Sequence, residues 1–123
     1  MNAIEQTQEQ ATEELTVFVL VKTMPEWLGF SVDQRFAHFA RYMQPILKKY
    51  EDQVHFTFYD TEFFSARVTD VWMWQAKSRH AYEMVVEELR ETPLWDRFFS
   101  IVEILAGVEN AYARNYNRAA ISA

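Results

Sequence analysis

Cysteine is absent from the 123 residues, which removes disulfides, thiolate nucleophiles and zinc–cysteine sites together and suits a reducing cytoplasm. Glycine occurs only twice, at Gly29 and Gly107. No glycine-rich loop can be built from them to cradle a phosphate, so the usual nucleotide folds are excluded. Lysine and arginine number 12 against 18 aspartates and glutamates, a formal charge of −6. A polyanion would be repelled over most of such a surface, so neither nucleic acid nor an anionic membrane is an expected partner. No apolar run is long enough to span a bilayer, and "MNAIEQTQEQATEE" lacks the basic region and apolar core of a signal peptide. The expected location is the cytoplasm. The three histidines are scattered, none at ligand spacing from a second donor, so no metal and no other cofactor is expected. No serine sits in a nucleophile elbow.

What is present is apolar and aromatic. Half of the chain is hydrophobic, enough to bury the core of one domain, though so small a domain gains from pairing with a copy of itself. Residues 1–14 read as a solvated tail, 15–106 as the folded domain and 107–123 as a partly helical tail. "LTVFVLVKT" predicts a central strand covered on both faces. Pro25 and Gly29 then mark a loop, and "SVDQ" supplies a capping box from Ser31 and Gln34. The helix that follows should bury Phe36, Phe39, Met43, Leu47 and Tyr50, with Pro45 on its solvent side, bending it. "VHFTFYD" and "ARVTDVWMWQA" alternate as strands around a short "TEFFS" turn. Ser78 should cap a second helix burying Tyr82, Val85, Val86 and Leu89 and ending before Pro93. "WDRFFSIVEILAG" reads as the fourth strand.

The order βαββαβ makes this an α+β protein with a ferredoxin-like antiparallel sheet and two helices on one face. Strands one and three lie inside, two and four at the edges. The uncovered face would carry Val71, Met73 and either Phe98 or Phe99, too apolar to leave wet. Two such faces packed together form a dimeric α+β barrel, so a homodimer is expected.

Three stretches, "FYDTEFFSARVTDVWMW", "LRETPLWD" and "VENAYA", together resemble the darcynin family of small bacterial proteins, from about the first strand to Tyr116. The resemblance implies a ferredoxin-like fold. It also implies a link to the small accessory protein of gene clusters for bacterial indole-3-acetate breakdown. It assigns no catalytic residue; the matching positions are Asp60, Glu62, Arg67, Asp70, Trp74, Pro93, Trp95, Glu109, Asn110 and Tyr112.

Asp70 carries the sharpest chemical signal. Alternation sets Val68, Asp70, Trp72 and Trp74 on one side of the strand, a lone carboxylate among aromatics. With Asp60 opposite Ala66, Phe56 would face Asp70 and Val54 would face Trp72. Such a carboxylate takes a partner or keeps its proton. It is either a structural group bonded to backbone amides or to Tyr82, or a general acid or base working near neutral pH. On the opposite face His55, Thr57, Tyr59, Arg67 and Thr69 form a polar cluster, in which Arg67 beside Tyr59 would clamp a carboxylate or fill a dimer seam. Trp72, Trp74 and Trp95 would stack on a flat ligand or serve as core. An RNA-recognition domain shares the strand order but needs a basic surface and a different third strand, so that reading is rejected.

The expected function is therefore that of a small-molecule-binding protein. It would act on an aromatic acid or its oxidised product, with the indole type suggested by the resemblance alone. Asp70 would move a proton, Trp72, Trp74 and Phe56 would wall the pocket, and Tyr82 would bond the substrate. By analogy of fold, cofactor-free oxygenation, isomerisation and dehydration are the reactions in view. The alternatives are a non-catalytic binding or protein-interaction module of the same pathway, and a purely structural dimer.

Overall fold

The computed structural model describes residues 14–122, so the expected N-terminal tail lies, except for Glu14, outside the described residues. The first apolar run forms β1 (Leu15–Thr23), followed by a single turn, α1 (Pro25–Leu28). The capping box forms as expected: Ser31 Oγ accepts from the Gln34 N–H at 3.2 Å, and Gln34 Oε1 accepts from the Ser31 N–H at 2.9 Å. It starts α2 (Val32–His38), which passes through a π turn (Phe39–Met43) into α3 (Gln44–Lys49). Pro45 explains the π turn. It has no N–H to give and its ring would strike the carbonyl of Arg41 in a regular helix. Widening the preceding turn, so that Gln44 N–H reaches back to Phe39 O, lets the helix continue with Pro45 exposed.

β2 (Val54–Asp60) and β3 (Asp70–Ala76) follow, then α4 (Arg79–Leu89), whose Ser78 cap accepts from Ala81 N–H at 3.1 Å. The chain ends with β4 (Phe99–Gly107) and a short α5 (Ala111–Asn115). The sheet is antiparallel in the order β2-β3-β1-β4, with β1 and β3 inside. Val17, Val19, Val21, Trp72, Trp74 and Ala76 face the helices and join Met43, Ile46, Val85 and Leu89 in one buried cluster. Only one face of β1 is covered; Phe18 on the other is 37% exposed.

Three further expectations need correction. β3 begins at Asp70, not Ala66, and residues 61–69 form a wide loop. Inside it Thr61 O accepts from the N–H groups of Phe64 and Ser65, and Ser65 Oγ accepts from those of Arg67 and Val68. These local bonds compete with the ladder. The register moves accordingly: Phe56 faces Trp74, Phe58 faces Trp72, and Asp60 faces Asp70. Phe98 and Phe99 are both buried on the helical side, packed on Trp27, because residues 93–98 turn tightly before β4 begins. Phe36 is 70% exposed, since no element covers the outer end of α2. In the C-terminal tail the rings of Tyr112 and Tyr116 lie 5.2 Å apart, tilted by 60°, and both stay exposed.

Candidate functional site

Where α2, the π turn and α3 cross the far end of the sheet, they leave a cavity of about 600 Å³. Its walls are aromatic: Trp27 from α1, Phe36 and Phe39 from the helix, Phe56 and Phe58 from β2, and Phe99 from β4. Met43 and Leu47 complete the helical wall. The π turn sits in this wall, and Phe39 and Met43, its first and last residues, both line the cavity. The polar groups are few. Asp60, Glu62, Asp70 and Thr23 gather at the sheet side, with Arg35 and Gln44 on the helical side. An apolar enclosure of this size with a few convergent polar groups is the common form of a small-molecule site.

The three carboxylates offer oxygens that all lie within 4.8 Å of one another. Alternation explains two of them. Asp60 follows Phe56 and Phe58 on the helical face of β2, and Asp70 opens the row of Trp72 and Trp74 on β3, so pairing sets the two acids opposite. Glu62 reaches the same place from the loop. Asp60 and Glu62 are exposed, whereas Asp70 beneath them is only 3% exposed. Thr69 Oγ1 donates to Asp70 Oδ2 at 2.8 Å. Burial pushes the Asp70 carboxyl up from 3.8 to about 6; the Thr69 hydroxyl works against this, and the charges of Glu62 and Asp60 add to it. Among the described residues these three acids are the group close enough to face one cation. Asp60 also hydrogen-bonds Asp70 in a way that favours the protonated form of Asp70, so the facing pair can share a proton. Arg35 commits two N–H groups to the carbonyls of Trp27 and Leu28, at 3.2 and 3.0 Å, and has three more to offer.

The residues singled out in the sequence do not all meet here. Asp70 and Phe56 line the cavity. Trp72 and Trp74 are fully buried behind it, neither is among its lining residues, and their indole N–H groups have no hydrogen-bond partner. Tyr82 packs half-buried on α4 against the core, its phenol held above the ordinary range by burial, away from the cavity. Arg67 does not sit opposite Tyr59. It stands in the 61–69 loop and pairs with Glu103 of β4 at 3.3 Å, while Tyr59 faces Val71. His55 lies exposed toward the other end of β2, opposite Gln75. Trp27 and Arg35 carried no signal in the sequence, whereas the alternation of β2 set Phe58 with Phe56 on the helical face. Asp60 carried one as well: its parity with Phe56 and Phe58 already placed it on the helical face.

Sheet, helical layer and cavity define an α+β domain arranged for holding a small molecule. Similar architecture occurs in the chlorite dismutase of Candidatus Nitrospira defluvii in complex with imidazole, with a TM-score of 0.67 at 13% identity over 86% of this chain and 44% of that one. A mutant of the same enzyme matches with a TM-score of 0.67 at 14% identity over 83% of this chain and 43% of that one. The chain thus spans less than half the length of those chlorite dismutase chains, and the likeness is one of fold. In sequence, the family model described as "Darcynin, domain of unknown function" matches residues 1–123, and the chain belongs to the darcynin family. A darcynin homolog of Granulibacter bethesdensis is 61% identical over 109 residues, 89% of this chain and 88% of that one. Another, of Streptomyces avermitilis, is 49% identical over 108 residues, 88% of this chain and 89% of that one. Among the described residues no helix is long and apolar enough to cross a membrane.

Proposed function

We propose that the cavity binds a small aromatic molecule and that Asp70, with Asp60 as its proton-sharing neighbour, moves a proton to or from it. The observation that carries this reading is a carboxyl, buried and facing two other acids, on the floor of an aromatic cavity, where burial pushes it up to about 6. A group poised there exists in both protonation states near neutral pH, which is what a general acid or base requires. Isomerisation and dehydration are the reactions this suits, since both remove a proton and return one without an electron acceptor.

The indole-type acid implied by the family resemblance enters ring-first. Three carboxylates repel its own carboxylate from the sheet side, and the spare N–H groups of Arg35 receive it on the helical wall. Its ring N–H then faces Asp60 and Asp70 as a donor. The protein works as a cytoplasmic homodimer in this reading, with sheets packed face to face over Phe18, Leu20, Val71, Met73 and Leu105. Light scattering on the eluting protein checks that; a monomer at micromolar concentration removes the pairing but leaves the cavity.

Intrinsic fluorescence tests the ligand. Indole and indole-3-acetate are expected to change the emission of Trp27, which lines the cavity, with dissociation constants between about micromolar and millimolar. Trp27→Phe should abolish the change and Trp72→Phe should keep it. If neither compound alters emission or melting temperature, the ligand reading fails. With a ligand in hand, loss of substrate at trace protein separates catalysis from stoichiometric protection by a binding module.

A further inference from the structure

The hydrogen bonds behind Asp70 run in one direction. The backbone N–H of Thr23, the last residue of β1, donates to Thr69 Oγ1 at 2.9 Å. The Thr69 hydroxyl lies 2.8 Å from Asp70 Oδ2. A hydroxyl has a single proton to give. Its other acceptor within reach, Val21 O, is 3.4 Å away and already takes the N–H of Thr69 at 2.9 Å. The proton therefore goes to Asp70, the nearer and chargeable acceptor. Thr69 itself is pinned on both sides, because its carbonyl accepts from Thr61 N–H at 2.9 Å. Its backbone is tied to β1 and to the first residue of the 61–69 loop, and turning its hydroxyl away would break the bond from Thr23 N–H.

We propose that Thr69 is the positioning residue of this site: it keeps Asp70 Oδ2 as an acceptor, so that the exchangeable proton is carried on Oδ1 and passed from there toward the cavity. The groups facing that proton are Asp60 from β2 and Glu62 from the loop, with Arg35 across the cavity on α2. Lys22 of β1 is outside this set; its ammonium bonds to Ala66 O at 3.4 Å. In this arrangement the proton has one oxygen to leave from and one direction to go. Thr69 also favours the charged form of Asp70 and so opposes the effect of burial.

The inference rests on Asp70 being the proton carrier, and the two can fail separately. Carbon-13 NMR of the side-chain carboxyl, read across pH without any ligand, is expected to place the wild-type midpoint near 6. Thr69→Val should raise it by about one pH unit, the loss of a hydrogen bond to the charged form. Thr69→Ser should restore the wild-type midpoint. A merely structural role predicts a lower melting temperature for Thr69→Val with the midpoint unmoved, and that result overturns the proposal. So does a Ser variant that titrates like Val. A wild-type midpoint near 4 overturns the proton-carrier reading itself. Should Thr69→Val not fold, the wild-type hydroxyl proton decides. It should be resolved and slow to exchange at pH 7; fast exchange contradicts its donation to Asp70.

Discussion

At one end of the helical side of the sheet, Val54, Trp74 and Ala76 join Val85 and Leu89 of α4 in a sealed core. At the other end of the same strands, Phe58, Asp60 and Asp70 meet the helical layer only across an open cavity. Both halves come from one alternation pattern, and β2 and β3 run through both. The difference lies in cover. Among the described residues Asp70 is the one polar or charged residue that is buried, and it stands at the open end, where the space beneath α2 lets carboxylates survive at the edge of the core. A fully enclosed charge without a partner would shift its pKa until it became neutral. Asp70, roofed by two exposed acids rather than by apolar side chains, has gone only part of the way.

The largest contrast between the two halves should appear in truncations. Leu89→Ala empties a fully buried site and is expected to cost about 3–4 kcal/mol in urea unfolding. Phe36→Ala, at the open end and 70% exposed, should change stability by less than about 1 kcal/mol. Equal losses would mean the cavity is closed in solution.

Asp70→Asn sharpens the contrast next. The folded pKa lies above the unfolded value, so the native state binds the extra proton. The resulting stability is fully present below 3.8 and is lost as pH rises through about 6. At pH 7 the ionised group therefore burdens the fold, and Asn, still able to accept from Thr69, removes the charge. The variant should be more stable by up to about 3 kcal/mol at pH 7, with the gain vanishing below pH 3.8. Urea titrations at the two pH values read this directly. A destabilised variant at pH 7 would make Asp70 a structural anchor and the open half merely an incomplete core.

The smallest effect belongs to Asp60→Asn. Removing that charge takes away one of the influences holding Asp70 up, so the Asp70 midpoint should move down while remaining above 3.8, because burial is the larger cause. Carboxyl NMR measures the shift. A midpoint that stays fixed would mean that the facing acids are screened from each other by solvent.

Much of this was legible residue by residue. Ser31 with Gln34, and Ser78, announced their helices because capping needs only neighbours in sequence. The row Asp70, Trp72, Trp74 was legible because a pleated strand alternates. The hairpin register was not. Val68 is buried and Arg67 exposed, so "ARVTD" imitates a strand, yet the N–H groups of both residues go to Ser65 Oγ instead of a neighbouring strand. Tryptophans were legible as aromatic but not as wall or core. Trp72 and Trp74 vanish behind the cavity, and Trp27, in what read as a loop, takes the place at the wall.

Local chemistry written in the order of residues was enough to determine the strand and helix succession, the inner and edge strands, and the face on which Asp60 and Asp70 stand. Pro45 announced a bend, and the widened turn is its local consequence. Only the tertiary structure decided that Asp60, Glu62 and Asp70 meet, that Asp70 alone is desolvated, and that Thr69 rather than Tyr82 holds it. Desolvation and proton sharing depend on what covers a group from elements far along the chain. Here that cover is set by how α2 and α3 lie across the sheet, a packing outcome that no single segment encodes.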